Sequence, residues 1–208
     1  GRGGLKAGPP AARRTGRAGR EPNRRAGTRR PRVPKELLIS ERPAEAEDRA
    51  VPGHWEGDLI IGTPGTGAIG TLVERSSRFV MLLHLPNGHT GEQVLAAIQE
   101  TLPTLPAHLR RSLTWDQGAE MVGIHDHVKI ATGAQVYFCD PHSPWQRGSN
   151  ENTNGLLRQY FPKGMDLTKV TPEDLDYAAA GLNGRLRKTL GWKTPAQALQ
   201  QILEESAA

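Results

Sequence analysis

The stretch that decides the fold of this chain is His54-Trp55-Glu56-Gly57-Asp58-Leu59-Ile60-Ile61, an apolar run interrupted by acidic residues. It predicts a β-strand, in which every second side chain shares a face, so that Glu56, Asp58 and Ile60 lie together. A carboxylate beside a core is unfavourable unless a partner compensates its charge. Taken alone, Asp58 is most simply a surface carboxylate on an edge strand, so its relation to other acidic residues has to decide its role.

Two further carboxylates stand at comparable places. Asp116 ends the apolar run Leu113-Thr114-Trp115, where an aspartate commonly caps its own turn. Glu151 follows Ser149-Asn150 in the first turn of a predicted helix, where the helix dipole favours an anion. Each residue alone has that simple structural explanation. However, the ends of sheet strands are where α/β proteins gather their ligand sites.

Asp58, Asp116 and Glu151 together are better explained by a shared divalent metal than by three separate structural roles. Sites made only of oxygen ligands suit Mg²⁺ or Mn²⁺. Two such ions, about 3.5–4 Å apart, can activate the attacking oxygen and stabilise the leaving oxygen of a phosphodiester. The chain shows no motif for a nucleophilic Ser, Cys or Tyr. We therefore expect these three residues to be catalytic and to bind two metal ions.

The surrounding pattern predicts a mixed α/β domain. Strands are expected at residues 55–61, 70–74, 79–85, 112–115 and 135–139, and helices after Thr90 and at residues 119–130, 149–161, 172–190 and 195–203. Three strands joined by short turns, followed by strands that alternate with helices, predict a mixed five-stranded sheet flanked by helices. This order fits the ribonuclease H fold, and other α/β domains share it.

The charge is concentrated at one end of the chain. The formal net charge is +5, but residues 1–34 carry ten Arg, one Lys and one Glu, whereas the other residues carry 16 basic and 21 acidic groups. Residues 1–34 are therefore expected to be a disordered basic arm on a polyanion, or else a solvated linker. Residues 35–53 are expected to be a polar approach segment, and residues 54–208 the catalytic core with its C-terminal helices.

Composition also limits the cellular compartments in which the protein is expected. Cys139 is the single cysteine, so no internal disulfide can form, which suits a reducing compartment. No apolar run reaches about 18 residues, so no membrane span is expected. The chain begins with Gly rather than Met, and we expect it to be a fragment or a processed product.

Several segments resemble the catalytic core of bacterial transposases of the insertion-sequence-thirty family. The resemblance covers roughly residues 36–200 and is carried by His54–Ile60, Gly70–Arg75, Thr114–Gly118, Phe138–Gly155, Leu156–Gly164 and Lys188–Pro195. It implies an integrase-type ribonuclease H fold and an Asp-Asp-Glu triad, which falls on Asp58, Asp116 and Glu151. The family usually places a helix-turn-helix domain before the core to read the ends of the element, and no such pattern precedes His54 here.

Four residues near Glu151 are candidate DNA contacts. Arg147, Arg158 and Lys163 could hold phosphates near the metals, since an acidic core otherwise repels DNA. Trp145 is either a core anchor, which we favour slightly, or a platform on which a base stacks.

The resulting hypothesis is a transposase catalytic domain that hydrolyses element ends and transfers the freed 3′-OH into target DNA. Its expected partners are the terminal repeats, target DNA and further copies of the chain, in the bacterial cytoplasm with the nucleoid. Two alternatives remain: a non-catalytic DNA-binding remnant of a truncated element, and a ribonuclease H-like nuclease that cuts without joining.

Overall fold

The computed structural model describes residues 33–47 and 49–207. The predicted basic arm, residues 1–34, therefore lies outside the described residues except for its last two positions. The described part is built on one five-stranded sheet with the order β3-β2-β1-β4-β5. Its strands are β1 His54–Ile61, β2 Ala68–Glu74, β3 Val80–Leu85, β4 Ser112–Trp115 and β5 Gln135–Phe138.

The sheet is mixed, as the sequence predicts. Strands β1, β2 and β3 form an antiparallel meander, while β4 and β5 run parallel to β1. The meander turns are short, and the parallel strands need longer crossover connections that contain helices. The predicted mixed five-stranded sheet is therefore confirmed.

Helices cover both faces of the sheet. They are α1 Gly91–Thr101, α2 Ala119–Val122, α3 His125–Thr132, α4 Gly148–Leu157, α5 Pro172–Asn183 and α6 Pro195–Ala207. Short 3-10 turns occupy Lys35–Leu37, Ile39–Glu41, Ala44–Ala46, Leu102–Thr104, Ala107–Leu109, Pro144–Arg147, Leu167–Lys169 and Lys188–Leu190. Thr90 begins α1 with a capping box to Gln93, which confirms the predicted start of that helix.

Strand alternation divides the apolar residues between two cores. Trp55, Leu72 and Trp115 pack with residues of α1, α2 and α3 on one face. Ile60 and Ile69 pack with residues of α4 and α5 on the other face. The even-numbered residues of β1, including Asp58, therefore belong to the face that α4 covers.

Four predicted helices have different bounds in the structure, and one of them, α6, runs to Ala207 instead of residue 203. The helix expected over 119–130 is split, because Gly123 ends α2 and α3 starts only at His125. Helix α4 ends at Leu157, four residues early, and the chain continues in tight turns up to Phe161. Helix α5 ends at Asn183, whose amide bonds both the N–H and the C=O of Val80 on the sheet edge. At these positions the tertiary contacts, rather than the apolar periodicity of the sequence, determine where the helix ends.

Residues ahead of β1 also pack on the sheet. Leu38 forms a parallel bridge with Phe138, and Arg42 Nη1 donates to Thr114 Oγ1 at 3.2 Å. Ala46 is fully buried, and its carbonyl accepts a 2.9 Å hydrogen bond from Arg75 Nε. The segment predicted as a polar approach thus includes buried residues that contact the core.

Candidate active site

Asp58 and Asp116 lie at equivalent places on neighbouring parallel strands. The β1–β4 register pairs His54 with Ser112 and Glu56 with Thr114. Carried on by two residues, the same register places Asp58 beside Asp116. Their side chains are 29% and 47% exposed, so both carboxylates reach solvent from the edge of the sheet core.

Arg147 joins the two aspartates. Its Nη1 lies 3.0 Å from Asp58 Oδ1, and its Nη2 lies 3.6 Å from Asp116 Oδ2. The same Nη1 donates to the carbonyl of Gly57 at 2.9 Å. Burial lowers the pKa of Arg147, but the charges of Asp58 and Asp116 and the hydrogen bond to Asp58 outweigh burial and leave that pKa raised. The guanidinium therefore stays charged and holds the two carboxylates together.

Helix α4 is fixed against β1 by Asn150, which is fully buried. The backbone N–H of Asn150 donates to Glu56 Oε2 at 3.0 Å, and its Nδ2 donates to the carbonyl of Glu56 at 2.8 Å. Asn150 Oδ1 accepts from Thr71 Oγ1 at 2.7 Å. These bonds set the first turn of α4, and hence the backbone of the next residue, Glu151, against the sheet.

Glu151 itself is exposed and sits on the helix face that turns toward Asp58. Asn154, three residues on and on the same face, donates from Nδ2 to Asp58 Oδ2 at 3.0 Å. Within residues 33–47 and 49–207, no cluster of three or more His, Cys, Asp or Glu side chains is close enough to hold a metal ion. The structure therefore brings Asp58 and Asp116 together around Arg147, and leaves Glu151 on the adjoining helix face without contacting either.

The oxygens at this edge are of the type that hard divalent cations prefer, although the guanidinium of Arg147 lies between the two carboxylates. Two carboxylates converge on one positive group, and Asn154 Oδ1 beside them is buried without a hydrogen-bond partner. Carboxylate and amide oxygens are the ligands that Mg²⁺ and Mn²⁺ prefer. Asp116 keeps its turn role as well, because its Oδ1 accepts from the N–H of Gly118 at 2.9 Å.

Cys139 does not offer an alternative nucleophile. The thiol is buried, and burial raises its pKa to about 11 despite the nearby charge of Arg147. A neutral thiol is a poor nucleophile, so Cys139 is not a candidate for nucleophilic attack.

The four predicted DNA contacts occupy different environments. Trp145 is 70% exposed, so the interpretation of this residue as a core anchor is wrong. Arg158 donates to the carbonyls of Ile61 and Phe161 at 3.3 and 3.4 Å, and Lys163 is exposed. Arg147 was expected to face phosphates, but here it faces carboxylates.

Sequence reasoning missed the buried polar partners of the site. Glu56 is fully buried and pairs with Arg75 Nη1 at 2.5 Å, so it is a structural carboxylate. Asn150 hydrogen-bonds Glu56, and Asn154 hydrogen-bonds Asp58. An asparagine in a helix has no sequence pattern that would predict such a contact. Their spacing around Glu151 would have been the only local hint.

Comparisons with known proteins agree on the nature of this region. Residues 48–144 match the family model described as the integrase core domain. The transposase for insertion sequence element IS1086 of Cupriavidus metallidurans is 52% identical over 193 residues, which cover 93% of this chain and 56% of that protein. The transposase InsI for insertion sequence element IS30C of Escherichia coli is 49% identical over 170 residues, which cover 82% of this chain and 43% of that protein. The chain thus spans about half the length of these relatives.

A solved structure shares the fold. A chain in the cryo-electron-microscopy structure of the simian T-cell lymphotropic virus intasome in complex with PP2A regulatory subunit B56 gamma matches with a TM-score of 0.56. The match has 19% identity and covers 80% of this chain and 56% of that chain. The architecture is therefore integrase-like, with the ribonuclease H-like sheet that the sequence predicts. In the described residues, no helix has the length and apolarity to cross a membrane.

Proposed function

We propose that this chain, which belongs to the insertion-sequence-thirty family of transposases and carries their integrase core domain, catalyses DNA cleavage and strand transfer. The observation that carries the proposal is the pair Asp58, within β1, and Asp116, just after the adjacent parallel strand β4, which face one bridging cation. Two converging carboxylates that need a positive partner are the expected ligands of a metal-dependent phosphodiester enzyme.

The reaction consists of two phosphoryl transfers. In the first, a water oxygen attacks phosphorus at the element end, the bond from phosphorus to the 3′ oxygen breaks, and a 3′-OH leaves. In the second, that 3′-OH attacks phosphorus in target DNA, a new phosphodiester forms, and the target strand's own 3′ oxygen leaves as a hydroxyl. Neither step needs a covalent protein intermediate, in agreement with the absence of a nucleophile motif.

Asp58, Asp116 and Glu151 would hold two Mg²⁺ or Mn²⁺ ions, which supply activation of the attacking oxygen and stabilisation of the leaving oxygen. Asn154 orients Asp58, because its amide fixes Oδ2. Asn150 positions the start of α4, and with it Glu151, against β1. To present three carboxylates to metal ions, the site would need Arg147 to leave the space between Asp58 and Asp116 and Glu151 to turn toward them.

DNA would be held by groups around this edge and by the basic arm. Trp145, Arg147, Arg158 and Lys163 remain our candidate contacts near Glu151, and residues 1–34 supply a sequence-independent attraction to phosphates. We further propose that copies of the chain assemble on DNA, and that the protein acts on the nucleoid in the bacterial cytoplasm.

The test uses three isosteric variants, Asp58→Asn, Asp116→Asn and Glu151→Gln. Each keeps the side-chain shape and removes a charge, so each should abolish joining of a pre-cut 3′-OH element end to plasmid DNA in Mg²⁺ while the melting curve stays near wild type. The exposed carboxylates of Asp126 and Glu100 serve as matched controls, as Asp126→Asn and Glu100→Gln, and should join normally.

The outcomes separate the alternatives. Joining at the wild-type rate by any of the three variants contradicts the triad. Metal-dependent cutting without joining by the wild type indicates a hydrolytic nuclease. Binding that weakens steeply with salt, with neither cutting nor joining, indicates a DNA-binding remnant.

A further inference from the structure

A second feature lies on another flank of α4, away from the two aspartates. It is a groove of about 690 Å³ between α4, the β2–β3 turn and the segment that follows α5. We call it the basic groove, and its defining residues are Arg49, Arg78, Asn152, Arg187, Lys188 and Trp192. Asn152 adjoins Glu151 in the chain, so the basic groove leads to the helix turn that carries the proposed catalytic glutamate.

The groove has four cations and no acidic residue among its lining. Among the described residues, none forms an ion pair with Arg49, Arg78, Arg187 or Lys188. Burial lowers the pKa of Arg78, and the neighbouring charge of Arg49 lowers it further. These cations repel one another, and a bound anion would relieve that repulsion.

Arg187, which also lines the basic groove, has an unsatisfied hydrogen-bond donor. Its Nε is buried and has no hydrogen-bond partner, and burial lowers the pKa of this guanidinium, as does the charge of Arg185. A buried donor without an acceptor is unfavourable, so a phosphate in the groove would satisfy it once the Arg187 side chain turns its Nε toward the groove.

Backbone strain is concentrated around the groove. In the described chain, four residues other than glycine have a positive φ, and three of them line this groove: Arg49 at 63°, Arg78 at 62° and Trp192 at 65°. Side-chain-bearing residues rarely adopt this left-handed region unless the surroundings hold them there, and such residues cluster at ligand sites. The left-handed backbone at these positions determines the direction in which the side chains of Arg49, Arg78 and Trp192 leave the chain.

Besides its cations, the groove has an exposed aromatic ring, Trp192. The indole is 65% exposed at the rim, next to Lys188 and Leu186, which is itself 62% exposed. Proteins that bind unpaired nucleic acid combine a cationic groove with an exposed aromatic ring, because every base has a face that can stack. In a duplex those faces are already stacked on neighbouring bases and are closed to the ring.

We propose that the basic groove binds an unpaired DNA strand, with phosphates against Arg78, Arg187 and Lys188 and a base stacked on Trp192. This inference rests on the proposed function, since it takes DNA as the substrate and places a single-stranded segment beside the first turn of α4. It assigns a role to Trp192 that is independent of the metal site.

The test measures binding by fluorescence anisotropy in EDTA, so that no chemistry intervenes. The probes are a labelled ten-nucleotide oligothymidylate and a labelled ten-base-pair hairpin, and the protein is the full 208-residue chain. Trp192→Ala should weaken oligothymidylate binding at least about five-fold and hairpin binding less than two-fold. Trp192→Phe keeps a ring that can stack and should restore most of the affinity.

Charge is tested by a matched pair of lysines. Lys188→Glu in the groove should weaken oligothymidylate binding and flatten its salt dependence, whereas Lys129→Glu on α3 should do neither. Tyr177→Ala, which removes another exposed aromatic ring, on α5, controls for Trp192→Ala. All variants keep residues 1–34, so any contribution of the basic arm is the same throughout.

The proposal is overturned if Trp192→Ala leaves oligothymidylate binding unchanged, or if it weakens the hairpin as much as the single strand. It is also overturned if Lys188→Glu and Lys129→Glu behave alike. If end joining fails while binding depends on Trp192, the proposed function fails and the groove stands. If end joining succeeds while oligothymidylate binding is unchanged in Trp192→Ala, only the groove proposal fails.

Discussion

Glu56 and Asp58 lie two residues apart on the same face of β1, yet their environments are opposite. Glu56 is fully buried and is held by Arg75 and by the backbone N–H of Asn150. Asp58 is 29% exposed and is held by Arg147 and Asn154. Both carboxylates have an arginine and an asparagine as partners. What separates them is the exposure of the carboxylate, since Glu56 is enclosed in the core whereas Asp58 reaches solvent.

The two arginines are both buried, and they differ in their partners. Arg75 is also tied to the carbonyl of Ala46, so the Glu56–Arg75 pair is enclosed by the segment ahead of β1. Arg147 lies at the start of α4, where its partners are shared between two strands. A sealed pair serves stability, whereas a pair at an open edge can exchange its cation. This comparison predicts four effects of decreasing size.

The largest effect is expected from Glu56→Ala. It leaves the guanidinium of Arg75 buried without its counter-charge, so the free energy of unfolding should fall by about 3–5 kcal/mol. Asp58→Ala is the matched control and should lower it by about 1 kcal/mol or less, because that site is partly solvated. Urea denaturation followed by circular dichroism measures both. Equal losses would remove the distinction between the two carboxylates.

The next effect concerns Gly57, which separates the two acidic residues and faces the opposite core. A Cβ at this position would lie 2.1 Å from ring atoms of Trp115, so Gly57→Ala should cost about 1–3 kcal/mol of stability. In α4, Gly155 has open space around its Cα, and Gly155→Ala should stabilise the helix by about 0.5–1 kcal/mol. Thermal melts compare the two. A neutral Gly57→Ala would show that the Trp115 ring moves freely.

The third effect sharpens the role of Arg147. Because its guanidinium occupies the space between Asp58 and Asp116, removing that charge should strengthen Mn²⁺ binding to the DNA-free protein about ten-fold. Isothermal titration calorimetry of Arg147→Gln against wild type measures this. Arg110→Gln, whose guanidinium bonds the carbonyl of Thr132, is the control and should not change the affinity. Weaker Mn²⁺ binding by Arg147→Gln would mean that the arginine supports the metal site instead.

The smallest effect concerns His54, the first residue on the same strand face. Burial lowers its pKa below 6.5, although the hydrogen bond and charge of Glu45 oppose this. The folded state therefore favours the neutral ring, and its contribution to stability is present above pH 6.5 and is lost as pH falls below that value. Between pH 7.5 and pH 5.5 the loss should be about 1 kcal/mol or less.

His54→Gln should flatten this pH dependence when denaturation curves are compared at the two pH values. His127 is exposed on α3, so His127→Gln should leave the dependence as it is in the wild type. If both variants keep the wild-type slope, another group is responsible for it.

Local patterns predicted the elements well where short-range physics decides them. Apolar runs between turns marked all five strands, and the Thr90 cap marked the start of α1. The patterns failed at helix ends, because Asn183 stops α5 by bonding to Val80 across 103 positions of sequence. A contact of that range leaves no periodic trace in the segment itself.

The sequence by itself determined which carboxylates stand in or just after a strand and at a helix start, since residue type and periodicity are local properties. Only the tertiary structure decided what each carboxylate meets: Arg75 pairs with Glu56, and Arg147 bridges Asp58 to Asp116. It also brought Trp192 into one groove with Arg49, Arg78, Arg187 and Lys188. Charge pairing and burial depend on distances between residues far apart in the chain. Those distances exist only after the strands have set their register and the helices have packed on the sheet.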